Sequence, residues 1–95
     1  MDFAIYDPRQ EGLSVEIDGT DEQLNAIKKE IDRVNGIIEY MDKQGRQAVS
    51  IECGENADFI KAVLEEVGYE VWNFAEDKRV ISISWELLKE KDTSL

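Results

Sequence analysis

The chain has 95 residues, and its 22 acidic residues against 11 basic ones give a net charge of −11 at pH 7. A chain of this length is expected to form one domain, 1–95, with one modest hydrophobic core. Phosphate groups and anionic lipids attract clustered Lys and Arg, so this charge disfavours direct binding of nucleic acid or of a membrane surface. It favours a cationic protein partner instead.

The sequence carries few residues suited to catalysis or metal binding. It has no histidine, the commonest general base and transition-metal ligand, and its glycines form no phosphate-binding cluster. The single cysteine, Cys53, excludes an intrachain disulfide and has the strand parity of a buried thiol. We therefore predict a non-enzymatic protein without a metal or a cofactor.

Composition also predicts where the protein resides. The N-terminal residues lack the basic and apolar regions of a signal peptide, and no apolar run approaches the length of a membrane span. A lone cysteine fits a reducing compartment. These features predict a cytoplasmic location, either in a bacterium or, for a phage-encoded protein, in the host cell.

The first predicted unit begins with a β-hairpin. Residues 3–6 form a short strand that pairs with a second strand at 13–18. In the second strand Leu13, Val15 and Ile17 alternate with polar residues, which is typical of a strand with one buried face. A polar loop with turn residues at both ends joins the two strands.

A helix is predicted to follow from 21 to about 34. Thr20, with Gln23 three residues later, matches a capping box and marks the helix start. Asn35 and Gly36 tolerate the left-handed conformation of a helix C-cap, so they predict the helix end. The apolar stripe of this helix comprises Leu24, Ile27, Ile31 and Val34.

The same hairpin–helix pattern is predicted a second time. Strands at 37–41 and 47–53 are joined by a short polar turn, and a helix follows over about 57–67. Asn56 is placed to cap this helix, and Gly68 is placed to end it. A repeated unit of this kind says more about architecture than any single motif does.

A truncated third unit completes the pattern, with strands at 70–75 and 79–85. A C-terminal turn of helix is possible after it. The polar tail at about 89–95 is expected to fray. The predicted order is ββαββαββ, an α+β fold whose inner βαββαβ part follows the ferredoxin-like pattern. One mostly antiparallel sheet would carry both helices on one face. The predicted core comprises Val15, Ile17, Leu24, Ile27, Ile31, Val49, Ile51, Ile60, Val63, Leu64, Ile81 and Ile83.

Strand parity predicts an acidic open face on the other side of this sheet. Its members are Ser14, Glu16, Asp18, Ser50, Glu52, Ser82 and Ser84. One interpretation is a solvated surface with no further function. The other is that the carboxylates of Glu16, Asp18 and Glu52 imitate phosphates and bind a basic site on a partner. A Mg²⁺ site at Glu16 and Glu52 is a weaker interpretation, because the spacing matches no calcium loop.

The aromatic-rich part of the chain contains Trp72, Phe74 and Trp85. Trp72 and Phe74 share strand parity, so their side chains are expected on one side of the sheet. The three residues either fill a core that lacks a full third helix or form an exposed patch at an interface. Leu87 and Leu88 would extend such a patch into a homodimer contact.

Two function classes fit the sequence. The first is an acidic binding or inhibitor protein that occupies the basic site of a nucleic-acid-handling partner, as a phage anti-defence protein or an immunity protein does. The second is a ferredoxin-like regulatory or small-ligand-binding module, expected to be dimeric. The architecture hosts many unrelated functions, so it favours neither class. A small enzyme that uses carboxylates is a third and weaker candidate.

Overall fold

The computed structural model of the chain describes residues 1–74 and 76–90, and the fold is α+β. In chain order the elements are β1 (Asp2–Ile5), β2 (Leu13–Glu16), α1 (Asp21–Lys43), β3 (Ala48–Glu52), a 3₁₀ turn (Gly54–Asn56), α2 (Ala57–Glu66), β4 (Glu70–Phe74), β5 (Asp77–Ser84) and α3 (Glu86–Glu90). The observed order is therefore ββαβαββα. The predicted turn of helix near the C-terminus is confirmed as α3.

The strands form two antiparallel sheets rather than the single predicted sheet. One sheet is the β1–β2 hairpin, and the other has the order β3-β5-β4. The central strand β5 is antiparallel to both of its neighbours, so β3 and β4 run parallel to each other. The connection from β3 to β4 runs through α2, as parallel strands require a crossover.

The two sheets arise because α1 continues where the sequence analysis placed a helix end and a new strand. The stretch 37–41, predicted as a strand, lies inside α1, and the polar turn predicted after it forms the end of the same helix. Ile31, Val34 and Ile38 are buried at spacings of three and four residues, so burial of one continuous stripe outweighs the breaking tendency of Asn35-Gly36. The repeat therefore lacks its second hairpin, and the ferredoxin-like order does not form.

Asn35 has a different role from the predicted cap. Its side-chain Nδ2 donates a hydrogen bond to the backbone oxygen of Ala4 at 2.8 Å, and its Oδ1 accepts one from the backbone N–H of Tyr6 at 2.9 Å. One amide thus satisfies both an acceptor and a donor on the free edge of the hairpin. Asn35 therefore joins α1 to the first sheet in the middle of the helix.

The other predicted helix boundaries are confirmed in part. Thr20 and Gln23 form the capping box at the start of α1. Gly68 follows α2 with a φ of 110°, where the left-handed conformation favours glycine. Asn56 stands before α2, but its side chain makes no capping hydrogen bond. That prediction is wrong, because the preceding 3₁₀ turn leads into the helix and holds Asn56 away from the extended conformation of an N-cap.

The predicted core residues all belong to one hydrophobic cluster, in which four of them are only partly buried. Cys53 is buried as predicted, and burial raises the pKa of its thiol. The cluster also includes Val34 of the predicted apolar stripe and Trp85, for which a core position was one of the two interpretations. Further members were not predicted: Phe3, Ile5, Ile38, Ala57, Tyr69, Val71 and Leu88. Helix α1 packs against β1 and β3, and α2 packs against β4 and β5. The helices therefore connect both sheets through one core.

Two predicted segments extend past the described residues. The strand predicted at 70–75 ends at Phe74, and Ala75 lies outside the described part of the chain. Of the tail predicted at 89–95, Lys89 belongs to α3 and its side chain pairs with Asp42. Residues 91–95 lie outside the described residues.

Replacing Gly36 by alanine tests the continuity of α1. A Cβ at Gly36 would meet no atom within 4 Å, and the residue lies in the helix interior. We expect Gly36→Ala to stabilise the protein by roughly 0.5–1 kcal/mol and to raise the melting temperature by a few degrees. Gly45→Ala is the control, because Gly45 has a φ of 84° and should lose stability. A lower melting temperature for Gly36→Ala would mean that the helix ends there.

Candidate interaction surface

The outer face of the three-stranded sheet is the side directed away from the helices. Strand register arranges most of it in three rows: Ala48, Ser84 and Glu70; Ser50, Ser82 and Trp72; and Glu52 with Val80. Phe74 follows Trp72 by two residues, but the register shifts between Asn73 and Phe74, so that Phe74 lies opposite Asp77. Directly opposed residues on neighbouring strands point to the same side, so these side chains share one surface. We call this surface the outer face.

The two aromatic residues of β4 are exposed on the outer face. Trp72 is 47% exposed and Phe74 is 53% exposed. Exposed aromatic side chains that lie close together on a protein surface are typical of an interaction site. Of the two interpretations given to the aromatic residues, the exposed patch describes Trp72 and Phe74.

Trp85 belongs to the core and not to this patch. It is 0% exposed, and its ring makes an edge-on contact with that of Tyr69, with centroids 6.5 Å apart. Its strand parity is that of Ile81 and Ile83, which are also fully buried. As a candidate partner-binding residue it therefore contributes no accessible surface.

Small hydroxyl side chains occupy the middle of the outer face. The Oγ atoms of Ser50 and Ser82 are 2.8 Å apart and hydrogen-bonded. Ser82 is only 6% exposed, so this bond satisfies a hydroxyl that water barely reaches. The centre of the face is consequently flat, and its tallest groups are the two rings along β4.

The carboxylates on the outer face stand at opposite corners. Glu52 ends β3 in the row of Val80, and Glu70 begins β4 in the row of Ser84. Both are exposed. Basic side chains also occur nearby, because Lys78 and Arg79 lie near the start of β5. The face itself carries an aromatic strip between two negative corners.

The other carboxylates predicted to share this face lie elsewhere. Glu16 is on β2 opposite Asp2, in the two-stranded sheet, and Asp18 lies beyond the end of β2. The expectation that Glu16, Asp18 and Glu52 share the face of a single sheet is wrong, because α1 replaces the strand that would have joined the sheets. Within residues 1–74 and 76–90, no group of three or more His, Cys, Asp and Glu side chains is arranged to hold a metal ion.

A shallow cleft lies between the start of α1 and the start of α2. Its volume is about 430 Å³. It is lined by Ile17, Asp18, Gln23, Ala26, Ile27, Asn56 and Phe59. Phe59 is 38% exposed, and Asn56 lines the cleft without capping α2. The lining of the cleft combines apolar side chains with one carboxylate and two amides.

Asp42, in the last turn of α1, is a carboxylate that binds three side chains from other elements. Its Oδ2 accepts a hydrogen bond from the Tyr6 hydroxyl at 2.8 Å, and its Oδ1 accepts one from the Trp85 indole N–H at 3.1 Å. The ammonium of Lys89 forms an ion pair with the same Oδ1. Asp42 therefore links the end of β1, the end of β5 and α3 to the end of α1.

The electrostatics of this cluster fit a structural role. Burial by itself would raise the pKa of Asp42, but Lys89, Tyr6 and Trp85 together outweigh burial and hold the pKa below its ordinary value. Burial and the bond to Asp42 raise the pKa of Tyr6 to about 12. Both carboxylate oxygens of Asp42 bind side chains of the fold, so its contacts are those of a structural link. Sequence reasoning missed this residue because it placed Asp42 at the start of a hairpin turn.

Comparison with protein-family models, with curated proteins and with solved structures finds no match to this chain. Among the described residues, no helix is both long and apolar enough to cross a membrane.

The Asp42 cluster predicts a specific pH dependence of stability. Because folding lowers the pKa of Asp42, its contribution is present above the ordinary carboxyl pKa near 4 and is lost as pH falls through the lower folded value. We expect Asp42→Asn to cost about 1–3 kcal/mol of unfolding free energy at pH 7, measured by urea titration. The difference from the wild type should shrink below about pH 4.

Glu39→Gln is the matched control for this measurement. Glu39 lies one turn earlier on α1 and pairs with Lys43 at 3.2 Å, but both side chains are exposed. Its loss should change stability by less than about 0.5 kcal/mol. Equal effects of the two substitutions would show that Asp42 acts only through its charge on the helix end.

Proposed function

We propose that this chain is a non-enzymatic binding protein that occupies a cationic site on another protein, and that the outer face makes the contact. The observation that carries the proposal is the pair of exposed rings, Trp72 and Phe74, on a sheet face with carboxylates at its corners. The net charge of −11 supports a cationic partner.

The aromatic side chains would supply most of the affinity. A guanidinium or ammonium group placed over an indole or phenyl ring is attracted to its negative face, most strongly for tryptophan. Tryptophan is also enriched among the few interface residues that dominate binding energy. Trp72, which belongs to a strand and not to a loop, would present such a ring with little loss of conformational entropy on binding.

The carboxylates would act mainly on the rate of encounter. Exposed charges steer a partner of opposite sign toward the surface, and salt screens this attraction. Glu52 and Glu70 are the carboxylates of the outer face itself. The remaining acidic residues, which include Glu16 and Asp18, would contribute to the long-range field without touching the partner.

The finer proposal concerns the class of partner. Basic surfaces that attract a strongly acidic protein are typical of proteins that bind phosphate backbones. We propose that the partner is a nucleic-acid-handling protein and that the chain inhibits it, as a phage anti-defence protein or an immunity-type antagonist would. Support for this step is the charge and the size of the chain together with the aromatic strip.

A fluorescently labelled arginine-rich peptide provides a defined probe of the proposed surface. We expect wild-type protein to bind it at low salt, and Trp72→Ala to weaken binding by roughly 30-fold, the size of a 2 kcal/mol hot spot. Tyr40→Ala is the control, because Tyr40 is exposed on α1, away from the outer face. Anisotropy titrations measure both affinities.

The charge contribution is separated with two double variants. Glu52→Gln with Glu70→Gln removes two charges from the outer face, and Asp2→Asn with Glu16→Gln removes two from the opposed pair on the hairpin. The first double variant should slow association and flatten its salt dependence more than the second. If the two double variants slow association equally and Trp72→Ala binds like the wild type, the interface lies elsewhere.

The cleft beside Phe59 favours a second candidate function, a regulatory or small-ligand-binding module. Its volume of about 430 Å³ falls within the range of small-molecule sites, and its lining combines apolar side chains with a few polar groups. A melting-temperature screen of small organic molecules tests this candidate, since a bound ligand stabilises the folded state. A ligand should stabilise wild-type protein and Leu87→Ala but not Phe59→Ala; a screen without such a ligand contradicts this function.

A further inference from the structure

Side chains of α1 bond to some of the outward backbone groups at two of the sheet edges. Asn35 bonds to Ala4 and Tyr6 at the edge of β1, as described above. Arg33 donates a hydrogen bond from its guanidinium to the backbone oxygen of Glu52 at 2.8 Å, at the edge of β3. Each of these bonds removes an outward backbone group from pairing with another strand; at β3 it does so only at Glu52, the last residue of the strand.

The hydrogen-bond register shows which groups of β4 face its free edge. Two backbone hydrogen bonds flank the paired residues of β3 and β5: the Trp85 N–H donates to the Gln47 oxygen, and the Cys53 N–H donates to the Arg79 oxygen. The odd-numbered residues of β5 therefore bond to β3. Backbone groups of successive residues point to opposite sides, and the even-numbered residues therefore bond to β4.

The register pairs two residues of β4, Glu70 and Trp72, with even-numbered residues of β5. These two use their backbone groups inside the sheet. The N–H and C=O groups of Val71 and Asn73 therefore point outward. Within residues 1–74 and 76–90, no hydrogen bond reaches these outward groups. Strand β4 also contains no proline and no lysine, the residues that usually protect an edge.

We propose that the cationic partner binds as an extended segment that adds a fourth strand along the edge of β4. This inference rests on the proposed function and specifies how the partner docks. Main-chain hydrogen bonds to Val71 and Asn73 would hold the segment, as in other cases of strand addition. Residues two apart on a strand lie about 6.6–6.8 Å from each other. Alternate basic side chains of the segment would thus reach the rings of Trp72 and Phe74.

The net charge of the chain favours a basic segment over a second copy. The one charged residue of β4 is Glu70; Glu76 and Asp77 follow before the start of β5 and at its first residue, and Lys78 and Arg79 come next. Two copies would each carry a net charge of −11, and their repulsion opposes an edge-to-edge dimer. The other edge without a bonded side chain is that of β2, which is four residues long and carries the polar Ser14 and Glu16.

Backbone methylation of the arginine-rich peptide tests the docking mode. N-methyl groups at alternate positions remove the N–H groups along one side of an extended segment, and shifting them by one residue removes those of the other side. We expect one methylated series to bind at least tenfold more weakly and the other to bind like the parent peptide. If the parent binds and both series bind equally well, docking at β4 is overturned while the proposed function stands. If no arginine-rich peptide binds, the proposed function itself fails.

Asn73→Pro tests the same edge from the protein side. Proline at this position removes an outward N–H and leaves the bonds to β5 in place, so the variant should fold. It should weaken peptide binding tenfold or more, while Asn73→Ala, which keeps the N–H, should bind like the wild type. The alanine control is clean because the Asn73 side-chain Nδ2 has no hydrogen-bond partner among the described residues. Equal peptide binding by Asn73→Pro and Asn73→Ala overturns the inference. The inference is also overturned if sedimentation shows that the wild-type protein is a dimer and that Asn73→Pro is a monomer, because the edge of β4 would then bind a second copy of the chain.

If Asn73→Pro does not fold, the methylated peptides decide the question alone.

Discussion

The packing of one long helix against two separate sheets is the constraint on which the other features depend. Helix α1 buries Ile31, Val34 and Ile38 along one side and meets both β1 and β3. Polar residues of the same helix then fix the sheets in place, with Asn35 at one edge and Asp42 at the C-terminal end. The hydrophobic stripe supplies the stability, and these bonds set the positions of the sheets around the helix.

This arrangement separates the polar groups that hold the fold from those available to a partner. Asp42 is partly buried, and its carboxylate binds three side chains within the molecule. Trp72 and Phe74 stand on the opposite side of the three-stranded sheet from the helices, where their substitution should disturb little packing. A surface of this kind can change its specificity without a change in the fold.

The sequence predicted the core better than the topology, and the reason is physical. Alternation along strands and spacing along helices depend on burial, and burial placed Ile51, Ile60 and Ile81 correctly. The helix end at Asn35-Gly36 was wrong because a local preference worth about 1 kcal/mol competes with burial of the whole following turn. The continued spacing from Val34 to Ile38 was the signal that predicted a longer helix. The parity that Trp85 shares with Ile81 and Ile83 was the signal for its burial, while the exposure of Trp72 depends on the pairing of β4 with β5.

The central position of β5 has a consequence for the order in which the molecule is assembled. Strands β3 and β4 are held side by side only through β5, which pairs with both, and Ile51 meets a partner 30 residues later in the chain, Ile81. A nascent chain that has emerged only as far as β4 therefore contains two unpaired strands. The three-stranded sheet can therefore form only after β5 has been synthesised, since this strand supplies all the pairing between β3 and β4.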